Sequence, residues 1–137
     1  MSRRSSDNHR GAFAALLAAR RDRSLLVLAA AFFLVWLLFT GPVRWLALAP
    51  AWPLVLGSAP NFFAGMTLCF WQAFAVPGPA IYSGAMAFAV LAIGEAVQTL
   101  LPHHRADGWD VLASALGALL ATAVVARTAA RKASPAH

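Results

Sequence analysis

Four apolar runs, separated by short stretches rich in proline and glycine, organise this chain. Ser24 to Thr40 reads SLLVLAAAFFLVWLLFT without a charge and stops at Gly41-Pro42. Asn61 to Val76 is bounded by Pro60 on one side and Pro77-Gly78-Pro79 on the other. Ala80 to Leu101 is the longest run, followed by Pro102, and Trp109 to Ala126, rich in Ala, Leu and Val, ends at Arg127. A crossing helix needs about 20 residues, with about 17 as the lower limit. The second run is therefore marginal unless it borrows flanking residues. Backbone groups in hydrocarbon must be satisfied internally, which makes these runs helices rather than strands. The predicted fold is an all-α membrane protein of four transmembrane helices with short loops, the second and third forming a tight hairpin at residues 77–79.

Composition agrees. Apolar residues make up 61% of the chain and charged residues 12%, and the mean hydropathy is +0.68, beyond ordinary soluble usage. A chain of 137 residues leaves room for one domain and no separate catalytic module. The expected division is a basic cytoplasmic arm over residues 1–23, a transmembrane domain over 24–127 and a basic cytoplasmic tail over 128–137. Residues 11–19, GAFAALLAA, read equally as a short interfacial helix or as part of an irregular arm.

The net charge of +6 sharpens the topology. Arg3, Arg4, Arg10, Arg20, Arg21 and Arg23 precede the first run, and Arg127, Arg131 and Lys132 follow the last. Basic flanks on apolar spans place both termini in the cytoplasm, and two cytoplasmic termini require an even number of crossings. The loops 41–60 and 102–108 then face outward with one arginine each, Arg44 and Arg105. Trp45, Trp52 and Trp109 fall where an outer aromatic belt belongs. The tails carry no aromatic interleaving and no nucleic-acid motif, so membrane lipid and not nucleic acid is the expected partner. The single cysteine, Cys69, excludes an internal disulfide. His103 and His104 are adjacent and diverge, so no metal site is expected, and no cofactor motif is present.

The third run and the loop after it hold the candidate chemistry. Glu95 and Gln98 share a helix face one turn apart, about two turns inside a span where a charge costs from about 3 to more than about 10 kcal/mol. His104, Arg105, Asp107 and Asp110 follow within a few residues. On the fourth run Asp110, Ala113, Ser114, Gly117 and Ala121 form a narrow small-residue face of the kind that lets helices approach closely. Structural readings compete throughout. Asp107 and Asp110 fit an N-cap and a first-turn acid, Glu95 fits a packing lock paired with Arg105, and Asn61 and Gln72 fit interhelical hydrogen bonds. Ser83 and Ser114 have no Ser-His-Asp context, so no nucleophile is evident and turnover stays open.

Glu95-x-x-Gln98, Arg105, Asp107, Asp110 and Ala113-Ser114-x-x-Gly117 together resemble the signature of the VanZ-like family of small bacterial membrane proteins. Asn61-Phe62-Phe63-Ala64-Gly65 resembles that family's Asn-Phe start of the preceding helix, and the likeness covers residues 55–126. Departures are visible. Ser114 stands where the family usually has Asn and Ala121 where a second Gly is common. Arg105 lies one residue nearer Asp110 than usual, which puts His104 at the family's Arg position, and the Pro-Leu-Gly after Asn-Phe is missing.

The resemblance implies a bacterial inner-membrane protein of the cell envelope, in a family whose founding member is associated with lipoglycopeptide resistance. It supplies no reaction. On this reading Glu95, Gln98, His104, Arg105, Asp107, Asp110 and Ser114 form a polar cluster that binds or alters a lipid or lipid-linked cell-wall precursor head group, or binds a glycopeptide, at the outer leaflet. Two other readings stay open: a proton- or ion-coupled transporter subunit using Glu95, which would have to homo-oligomerise to build a path, and an adaptor that docks through the small-residue face.

Overall fold

In the computed structural model, residues 22–42, 53–100 and 107–133 are described, and their regular structure is helical: α1 (Arg23–Thr40), α2 (Pro53–Ala75), α3 (Ala80–Gln98) and α4 (Gly108–Ala133). Residues 11–19, Trp45, Trp52, His104 and Arg105 lie outside the described residues.

Local chemistry sets most of the boundaries. The Asp22 carboxylate caps α1 by accepting from the Ser24 N–H at 3.0 Å and from the Ser24 hydroxyl at 2.7 Å. Gly41 closes that helix with an N–H to the Leu37 carbonyl, and Pro42 follows. Asp107 caps α4 by accepting from the Trp109 N–H at 2.9 Å. Asp110 in its first turn and Arg131 and Lys132 in its last suit the two poles of the helix dipole.

Two elements differ from the sequence expectation. The second helix begins at Pro53, not Asn61, and runs through Pro60. Proline removes one backbone donor and crowds the preceding turn, but neighbouring helices can meet the freed groups. The fourth helix continues past Ala126 to Ala133, so Arg127, Arg131 and Lys132 ride on its last turns.

Three of the helices, α1, α3 and α4, are long and apolar enough to cross a membrane. Their outer faces leave Leu34, Ile81, Ile93 and Leu119 exposed, an apolar surface compatible with a multi-pass membrane protein and ill suited to water. Consecutive helices run antiparallel, so α2 and α4 lie parallel, Phe62 beside Gly117 and Cys69 beside Thr122; α2 touches all three others and α4 touches α2 and α3. Phe32 and Phe39 of α1, seven residues apart, meet Phe63 and Phe70 of α2 at the same spacing. Their ring centroids lie 5.7 Å apart for Phe32–Phe70 and 5.2 Å for Phe39–Phe63.

Between α2, α3 and α4 the contacts are made by small residues. Gly65 lies against the Ser114 carbonyl, where an added Cβ would come within 2.6 Å, and Gly117 lies against the Phe62 carbonyl. Gly84 faces the Thr122 hydroxyl, which itself donates to the Ala118 carbonyl at 2.7 Å. Cys69, fully buried, sits 3.7 Å from that same hydroxyl.

The two ends of the bundle have opposite character. One gathers the start of α1, the turn at 77–79 and the end of α4, where Lys132 forms an ion pair with Asp22. Lys132 and Ser24 hold the Asp22 carboxyl below its ordinary value of 3.8. A depressed folded-state value means the pair stabilises at neutral pH and is lost as the pH falls below that value. The other end carries Glu95, Asp107 and Asp110.

Candidate functional site

Glu95 lies one turn before the end of α3 and is only 7% exposed, so it is turned into the protein rather than toward the outside. The Asn61 amide of α2 donates to its Oε1 at 3.5 Å, a long hydrogen bond across the α2–α3 hairpin. The carboxylates of Asp110 and Asp107, from the start of α4, are close enough to act on Glu95 electrostatically. Three helices thus bring acidic groups and one amide to the same end of the bundle.

The remaining sequence candidates fall in different settings. Gln98, the last residue of α3, is half-buried, and the hydrogen bond observed at Glu95 comes from Asn61 rather than from Gln98. Asp107 is engaged as the α4 cap. Ser114 is 1% exposed, and its hydroxyl donates to the Asp110 carbonyl at 2.9 Å, which commits it to its own helix. His104 and Arg105 lie outside the described residues, so a Glu95–Arg105 pair belongs to the sequence reading alone. Among the described residues no three His, Cys, Asp or Glu side chains are grouped to hold a metal ion.

Asn61 is the partner, a residue that the sequence marked only for an interhelical hydrogen bond. The signal for its acceptor was present, because Asn61 and Glu95 stand equally far along the chain from Gly78. In a helical hairpin turning at that residue, the two share one depth. The small-residue face of α4, which the adaptor reading assigns to an outside partner, is taken up by α2 and α3: Ser114, Gly117 and Ala121 are buried.

Chemically, the described part of the site offers a shielded carboxylate and an amide donor, with two further carboxylates nearby, a set suited to a proton or to the hydroxyl and amine groups of a ligand. No known family model, characterised protein or solved structure matches this chain.

Proposed function

We propose that this chain is a four-span, VanZ-like protein of the bacterial inner membrane that binds a lipid or lipid-linked precursor head group at the outer leaflet through the cluster around Glu95. The observation that carries this reading is the burial of Glu95 against Asn61, within the field of Asp110 and Asp107. An ionisable group kept inside a membrane-spanning helix faces the bundle interior or a wet cavity and marks function by default.

Support for α2 as the fourth span comes from its length and neighbours. Its 23 residues reach about 35 Å at 1.5 Å each, against a hydrocarbon core of about 30 Å. Contact with all three other helices lets Asn61 and Gln72 be half-buried rather than face lipid. The basic residues at the Asp22–Lys132 end support cytoplasmic termini, which puts Glu95 toward the outer leaflet. In this reading Asp110 and Gln98 border the site, and Arg105 or His104 supplies a cation for an anionic head group.

The test compares Glu95→Gln with Glu95→Leu for folded yield and for lipoglycopeptide susceptibility on expression. Glu95→Gln keeps the shape and can still accept from Asn61, so it should fold yet lose the phenotype. Glu95→Leu should lose both. A Glu95→Gln protein that folds and keeps the full phenotype overturns the reading. The burial of the Glu95 carboxylate also favours a second reading, a proton- or ion-coupled subunit. Proton flux in proteoliposomes that disappears in Glu95→Gln would select it.

A further inference from the structure

A cleft of 190 Å³ opens at the end of the bundle away from Glu95, between the start of α1, the end of α2 and the end of α4. Leu25, Phe74 and Val125 line it with apolar surface, while Asp22, Thr128 and Lys132 give it a polar mouth. Arg23, Arg127 and Arg131 are exposed at the same end. Four cations thus stand against one carboxylate among the described residues there.

Lys132 is partly free. Its pairing with Asp22 leaves 61% of its side chain exposed, and an ammonium has three donors, so a second acceptor can join. Asp22 cannot play the same part, because its carboxylate is an anion that only accepts hydrogen bonds, here from Ser24 and Lys132. Long basic side chains at a span's end reach the head-group level while their stems cover apolar surface.

We propose that this cleft binds an anionic phospholipid of the adjoining leaflet, with an acyl chain on Leu25, Phe74 and Val125 and the phosphate on Lys132. The inference rests on the bundle spanning a membrane but on no role for Glu95. Charge complementarity selects the occupant. A zwitterionic lipid would bring its own cation to a cationic rim, and a soluble anion would leave the apolar lining wet. The carboxylate of Asp22 competes with the phosphate for Lys132, which gives the site opposite responses to its two charged residues.

The full chain, reconstituted in nanodiscs of equal phosphatidylglycerol and phosphatidylcholine, is extracted in mild detergent and its retained lipid measured by mass spectrometry. The unaltered protein should retain phosphatidylglycerol in several-fold excess, less so as salt rises. Lys132→Gln should abolish most of the excess and Lys132→Arg should keep it. Arg131→Gln, at the rim but outside the cleft lining, should lower it only in part. Asp22→Asn keeps an N-cap and should raise the excess by freeing Lys132. Equal retention of the two lipids, an equal loss in Lys132→Gln and Arg131→Gln (general surface charge only), or a fall in Asp22→Asn (a merely structural pair) would each overturn the proposal. If Lys132→Gln does not fold, the Lys132→Arg and Asp22→Asn results decide.

Discussion

Gly117 and Gly65 set how closely α2 and α4 can lie, since each leaves space that the facing helix fills with its own backbone. Close approach of this kind holds helices together where lipid tails are as apolar as any side chain and burial alone gives no drive. The effect is specific to position. Gly117→Ala places a methyl on the Phe62 carbonyl, and overpacking of this type costs about 1–3 kcal/mol. Gly94 is also helical, yet nothing lies within 4 Å of where its Cβ would be. Gly94→Ala should therefore be neutral or stabilising by up to about 1 kcal/mol, the ordinary helix preference for alanine. Thermal unfolding in detergent should show the two variants shifting in opposite directions. Equal shifts would mean that the α2–α4 contact is looser than described.

At the scale of elements, α1 depends on its aromatic contacts with α2. Phe32 touches both Phe63 and Phe70, so removing either side of the Phe32–Phe70 contact should weaken the same interaction. Phe32→Ala and Phe70→Ala should each destabilise, and the double variant by less than the sum, with a coupling of about 0.5–1.5 kcal/mol for an aromatic pair. Additive losses in a double-mutant cycle would detach α1 from this contact.

None of that pairing was legible beforehand, because phenylalanines within a uniformly apolar run carry no sign of which face they occupy. All four helices were legible, since each run is long and ends in Gly, Pro or charge. The start of α2 was not. Pro60 and Asn61 read as a boundary, and only the packed neighbours let the helix begin seven residues before Pro60. The inward placement of Glu95 was legible because a charge in an apolar run has few places to go. Its partner needed the depth relation across the hairpin, and the Asp22–Lys132 ion pair, which joins residues distant in the chain, left no trace in local pattern.

For the whole molecule the two ends yield a direct test of orientation. Gly78 and Gly108 are exposed and have open space around them, so a cysteine at either should be tolerated and reactive. In a Cys69→Ser background, an impermeant maleimide added to intact cells should label Gly108→Cys and leave Gly78→Cys untouched until the membrane is opened. Labelling of both positions from outside would place the turn at 77–79 and the start of α4 on one side and overturn the antiparallel spanning arrangement.

The dependence of α2 on α4 also bears on how the chain is made. The helix that covers Gly65 and supplies Ser114, Gly117 and Ala118 to the interior comes after the other three in order of synthesis. Until α4 emerges, α2 has no cover on that side, and the hairpin of α2 and α3 holds Glu95 with Asn61 but without the helix that completes its enclosure. Packing of the bundle therefore cannot be completed helix by helix. The early helices must wait together, and a nascent chain that stops before Gly108 is a partly assembled protein with an open seam, a form that quality-control proteases should clear.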